Sequence, residues 1–267
     1  MVPLLRACFF VFSSGRSVGD MSGNEVTGDR NNSDGKDAIV GKIRRGRIQK
    51  FLIRFLGGIA IILVLAIFVC RGSLVEPESY RTALAMSQAD AEDYRIDLEA
   101  KIIELGNVVR EKNEWKTTIT QPEINGWLAA NREFSKALPA GVSQPRVVLA
   151  DARMSVIFGY EILGFNAILQ GELDVFCTEV PGQIACRIYQ VRSGWVPLPV
   201  DAFADQFTEG MLSYGADVEW AEIDGDPVAL VLFPEDTFQL GTKVLAVQAV
   251  EIEERKLMIT GKSKTRQ

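Results

Sequence analysis

The chain has 267 residues, 47% of them hydrophobic and 24% charged, which is enough for one or two domains with a core of their own. It contains no histidine, which excludes Ser-His-Asp and Cys-His catalysis and any zinc site that needs an imidazole. Charge is divided along the chain: residues 1–70 hold 10 Lys/Arg against 5 Asp/Glu, and residues 71–267 hold 19 against 30. The acidic C-terminal part argues against a nucleic-acid partner, and the switch of sign suggests a membrane boundary.

Residues 1–42 are polar and rich in Gly, Asn and Ser, the composition of a disordered cytoplasmic N-terminus. Met21 offers a second candidate start. A basic juxtamembrane segment, 43–54, follows. Phe55 to Cys70 then reads F-L-G-G-I-A-I-I-L-V-L-A-I-F-V-C, 16 residues without a charge. With residues 51–54 the run reaches about 20, close to the 30 Å of a bilayer's hydrocarbon. A single transmembrane helix over 55–71 is expected. Lys42, Arg44, Arg45, Arg47, Lys50 and Arg54 precede it, whereas Arg71, Glu76 and Glu78 follow. The positive-inside rule places the N-terminus in the cytoplasm and the rest outside the cell membrane. No A-x-A pattern precedes a cut, and Val69 stands where a lipoprotein site needs a small residue before Cys70, so the span reads as an uncleaved anchor.

Pro77 opens a helical stalk over 77–112. Tyr80, Leu84, Ser87, Ala91, Tyr94, Leu98, Ile102, Leu105 and Val109 recur at steps of three and four. Such a seam serves either a homodimer through the 77–112 helix or packing on the chain's own domain. Ser87 and Ala91 weaken it for the first purpose. Thr120-Gln-Pro-Glu123 has the form of a capping box and starts a helix carrying Ile124, Trp127 and Leu128.

From Pro145 the period becomes two. Ala152, Met154, Val156 and Phe158 share one face. Leu163, Phe165, Ala167, Leu169, Leu173, Val175 and Cys177 form the next apolar row, as one long strand bent at Gly164 and Gly171. If Pro181-Gly182 centres the following hairpin, Cys177 and Cys186 lie directly opposite each other. They then either form a disulfide in an oxidising exterior or are two small buried thiols. Beyond the strand, S-G-W-V-P-L-P (193–199) ends the ladder at Pro197 and Pro199 and turns the chain into a helix. Val200, Phe203, Phe207, Met211 and Tyr214 form the stripe of that helix. Trp195 sits at this joint, as packing or as the lip of a site. A strand at 228–233 and a hairpin of 244–252 with 256–261 complete the pattern, leaving 263–267 as a tail. Asp224 and Asp226 read as turn chemistry rather than a calcium loop, for want of further oxygen ligands.

T-Q-P-E-I-N-G-W-L, the strand hairpin, G-W-V-P-L-P with its helix, and V-E-I-E-E-R-K-L-M-I-T-G occur in order over residues 115–262. This set resembles bacterial membrane-anchored envelope proteins of the YpmS and DUF2993 kind. The resemblance implies an α+β domain: a curved antiparallel sheet packed on helices, similar to tubular lipid-binding folds, with an apolar groove able to hold an acyl chain. Trp127, Leu163, Phe165, Leu169, Trp195, Phe203, Phe207 and Met211 are the candidate lining residues. The same residues can equally fill a solid core. No cofactor, metal or catalytic residue is expected, since each Asp or Glu reads as a solvated face, cap or turn. Two readings stand: a membrane-anchored extracytoplasmic binder of lipid or another amphiphile, and a non-catalytic structural or partner-binding envelope protein.

Overall fold

The computed structural model describes residues 71–267 except 139, 163, 214, 235–238, 241–242 and 266–267, together with Val64 and Phe68. The apolar run 55–70, those two residues apart, and residues 1–54 lie outside the described residues, as do the disorder and membrane crossing expected there. Among the described residues no helix is long and apolar enough to cross a membrane. Gly72–Gln267 is a compact unit distinct from residues 16–71.

Two helices open this unit, α1 (Glu78–Leu84) and α2 (Gln88–Glu111). The expected single stalk is thus broken at 85–87. The Ser87 hydroxyl accepts from Asp90 N at 3.1 Å and starts α2 afresh. There follow β1 (Glu114–Thr120), α3 (Gln121–Ala130), α4 (Arg132–Ala137), β2 (Val142–Ala150), β3 (Arg153–Ile162), β4 (Phe165–Cys177), β5 (Gln183–Ser193) and β6 (Val196–Leu198). Helix α5 (Asp201–Ser213) precedes β7 (Asp217–Ile223), β8 (Asp226–Leu232), β9 (Gln239–Leu240), β10 (Lys243–Glu253) and β11 (Lys256–Thr265).

The fold is α+β, with every strand pair antiparallel. Two sheets form where one was expected: β2-β3-β4-β5-β8-β7, with β6 paired to the upper half of β5, and β1-β11-β10-β9. Strand β10 packs across β2, β3 and β4, so the apolar faces of the two sheets meet. Helix α2 lies on α3 and β1, and its buried Ala91, Leu98 and Val109 turn the 77–112 seam toward the domain itself. One core unites Leu98, Ile119, Trp127, Leu149, Phe158, Leu169, Phe207, Met211, Val231, Ile252 and Leu257. On the opposite face of the larger sheet, α1 buries Tyr80 against Ile157 and Ile168.

Several details depart from the sequence expectation. Gly164, at φ +81, belongs to the β3–β4 turn rather than to a strand interior. The irregularity near Gly171 falls in β5, where Tyr189 is the extra residue opposite Glu172/Leu173. Pro197 does not end the ladder: it sits in β6 opposite Arg192, at an edge where no donor is required of it. Strand β11 runs on to Thr265, and Ser263 of the expected tail is buried. Its hydroxyl donates to Lys112 O at 2.7 Å and Val109 O at 3.2 Å.

Candidate functional site

The T-Q-P-E-I-N-G-W motif is built around the exposed edge of β2. Among the described residues that strand pairs with β3 on one side only, so its outward backbone groups need partners or they offer a docking edge. The motif supplies them. Asn125 is buried; its Nδ2 donates to Val147 O at 2.8 Å and its Oδ1 accepts from Val147 N at 2.7 Å. Two residues along, Gln121 Oε1 accepts from Leu149 N at 2.9 Å. Leu149 O accepts from Arg255 N at 3.0 Å, and Arg255 O accepts from Gln121 N at 2.9 Å. Side chains of α3 therefore stand in for a missing strand, and Arg255 of the β10–β11 turn ties the two sheets together.

The rest of the motif sets this helix in place. Thr120 N donates to Glu123 Oε2 at 2.8 Å and Thr120 Oγ1 accepts from Glu123 N at 3.4 Å, the reciprocal box that the sequence announces. Glu123 also pairs with Lys101 Nζ of α2 at 2.7 Å. Gly126 lets α2 approach: a Cβ there would come within 2.5 Å of Tyr94 Cβ and 2.8 Å of Ala91 O. Burial works to raise the Glu123 pKa, but the hydrogen bonds from Lys101 and Thr120 outweigh it and hold the carboxyl below its ordinary value. A depressed folded-state pKa gives stability that is present above the unfolded value of about 4.3 and is lost as pH falls through the folded one. Glu123→Gln is expected to lower the unfolding free energy by about 1.5 kcal/mol at neutral pH. The gap should close in denaturant titrations below about pH 4; a gap that persists unchanged in acid would refute the assignment.

Of the eight residues expected to line a groove, six have described side chains, and these separate into two places. Trp127, Leu169, Phe207 and Met211 are buried in the one core. Phe165 and Trp195 are exposed instead, at the turns of one sheet end. Leu163 and the Phe203 side chain lie outside the described residues. Trp127 stacks on Phe134 at a centroid distance of 5.1 Å, and Phe207 meets Trp220 edge-on at 5.7 Å. Trp220 Nε1 donates to Thr208 Oγ1 at 3.0 Å. Beside these rings an open cleft of about 600 Å³ separates the start of α5 from the β7–β8 hairpin, lined by Val200, Asp201, Ala204, Trp220, Glu222 and Pro227.

Cys177 and Cys186 are thiols in this structure. The hairpin loop is Glu179–Gly182, one residue earlier than a Pro-Gly centre implies. Thr178 sets it, donating from Oγ1 to Gln183 Oε1 at 2.7 Å and accepting there from Val180 N at 3.1 Å. Cys177 therefore faces Ile184, and Cys186 faces Val175. The two sulfurs share a face as diagonal neighbours, a spacing of about 7–8 Å between Cα atoms that exceeds the usual disulfide range. Burial raises the Cys177 pKa, favouring the protonated thiol.

The outer face of β3–β5 carries a polar cluster. Glu172 accepts from Arg192 at 3.2 Å and lies 3.7 Å from Arg153, whose guanidinium stacks 3.9 Å over the Tyr189 ring. Arg187 reaches Asp224 at 3.4 Å. Among the described residues, Arg187 Nε, Arg192 Nε and Gln170 Oε1 are buried without a hydrogen bond. No group of three or more Cys, Asp or Glu among the described residues is arranged to hold a metal ion. These features define an α+β domain of two antiparallel sheets closed over one core, with its polar chemistry on a sheet face. The chain matches no family model, no curated protein and no solved structure.

Proposed function

We propose that this is a single-pass, membrane-anchored protein whose extracytoplasmic domain is a non-catalytic, solid-cored binding module of the cell envelope. The observation that carries the solid-core reading is the burial of Trp127, Leu169, Phe207 and Met211 in one core, where an acyl groove would need them to line open space. The uncharged run 55–70 with its basic N-terminal flank supports the anchor. The likeness of 115–262 to the YpmS and DUF2993 kind agrees with an envelope location. For the binding surface we favour the outer face of β3–β5. Arginine and tyrosine are enriched in protein-recognition hot spots, and this face gathers Arg153, Arg187, Arg192 and Tyr189.

The amphiphile-binding reading keeps one observation in its favour, the cleft beside α5. Mass spectrometry of solvent extracts from a folded 72–267 fragment, with an unrelated secreted domain as control, separates the two. The solid-core reading expects no lipid enriched over the control. Lipid bound near one per protein, and lost in Ala204→Glu at the wall of the cleft, would overturn it in favour of the cleft.

A further inference from the structure

We infer that one end of the larger sheet is a membrane-docking face, with Trp195, Phe165, Leu74 and Val75 resting in the lipid interface; the inference deepens the anchored reading and rests on it. The first described residues of the domain are fastened to that end. Gly72 is buried beneath the Trp195 indole, so close that a Cβ would collide with the ring. Gly72 O accepts from Trp195 N and from Val75 N, both at 3.3 Å. The same turn is locked to β4 by Gly194 N donating to Ile168 O at 2.7 Å. Phe165 lies three residues further along β4, about 10 Å, at the tip of the β3–β4 hairpin. The β5–β6 turn, the β3–β4 turn and the start of the domain thus share one end of the sheet.

Large apolar side chains face outward at this end: Phe165 is 63% exposed, Val75 50%, Trp195 47% and Leu74 46%. The charges flanking it in sequence are of both signs, Arg71 and Glu76 beside the start of the domain and Glu161 beside the β3–β4 turn, so they give the surface no single-sign attraction for anionic lipid. A neutral bilayer is the occupant that the chain's own connectivity supplies. The uncharged run ends at Cys70, two residues and at most about 7 Å from Gly72. A domain fastened that close to a spanning segment cannot lift this end clear of the headgroups. Tryptophan at such a level is amphipathic and stable at the interface, and phenylalanine and leucine bury their apolar surface there. Gly72 and the Trp195 turn thereby act as a rigid shoulder that fixes how the domain stands on the membrane, leaving the outer β3–β5 face lateral and accessible.

The test uses the full chain in phosphatidylcholine vesicles doped with lipid brominated near the headgroup end of its acyl chains. Bromolipid is expected to quench part of the tryptophan emission, and Trp195→Phe should lose that quenched part while keeping the near-ultraviolet dichroism of the fold. Phe165→Glu combined with Val75→Glu should reduce quenching of Trp195 without removing the protein from vesicles. Quenching of Trp195 by aqueous iodide and not by bromolipid would overturn the inference. Protection from both quenchers would do the same, because a protein surface or a second copy would then cover the indole. Release of the wild type by alkaline carbonate would instead overturn the anchored reading, and the docking face with it.

Discussion

Asn125→Leu is expected to lower the unfolding free energy by about 3–5 kcal/mol, although leucine branches at the same atom and is the more apolar side chain. The reason lies in the strand rather than in the helix. Asn125 satisfies both the N–H and the C=O of Val147, and Val147 itself has no exposure to water. Leucine would leave two buried backbone groups unpaired, each costing about 1–3 kcal/mol. Asn125→Asp separates the two bonds: the carboxylate can still accept from Val147 N but cannot donate to Val147 O, and it adds a buried charge. Both variants should shift the denaturant midpoint of a 72–267 fragment downward with little change in the slope of the transition. A shift under about 1 kcal/mol for leucine would mean that water reaches the β2 edge and the substitute ladder is dispensable.

Trp127→Ala is expected to cost about 3–5 kcal/mol, the range for truncating a large aromatic side chain in a packed core. Trp127 stands on the face of α3 opposite to solvent, its ring tilted at 44° on Phe134. The core around it is drawn from both sheets and from α2, so no single element can relax into the space. Trp127→Phe should recover much of the loss. Equilibrium unfolding of the two variants checks this, and equal midpoints for them would show that the loss does not follow the volume removed. If Trp127 lined an open groove, its truncation would widen a cavity already present and cost far less.

The periodicity of the sequence conveyed which residues turn inward but not which inward faces meet. Phe207 and Met211 of the one stripe and Leu169, Leu173 and Val175 of the one row were legible as inward-facing, and all five are buried. Whether such faces enclose a groove or fill each other depends on the approach of β10 across β2–β4, a pairing between distant segments that no local pattern encodes. The capping box at Thr120 was legible because its two bonds lie within four residues. Asn125 was not, since its partner is 22 residues away. The signal it did give was a lone amide between Ile124 and Trp127 on an otherwise apolar helical face. A turn centred on Pro181-Gly182 gives the wrong β4–β5 register, because the Thr178 side chain holds the loop one residue earlier. Phe165 and Trp195 looked like lining residues by type. Their exposure follows from their position at turns, which alternation along a strand does not reveal.

The pairing of β1 has a consequence for biosynthesis. Strand β1 follows directly on α2, yet among the described residues its only neighbour in the sheet is β11, with Glu114 opposite Lys262. The carbonyls of Val109 and Lys112, at the end of α2, likewise wait for Lys243 and Ser263. The domain therefore cannot close from its beginning as it emerges; nearly the whole chain must be delivered before its first strand finds a partner. Contacts of such long separation fold slowly. In the anchored protein proposed above, a segment in the bilayer would hold the unfinished domain to one place during that interval, and keep its unpaired β1 edge from meeting other chains at the rate of free diffusion.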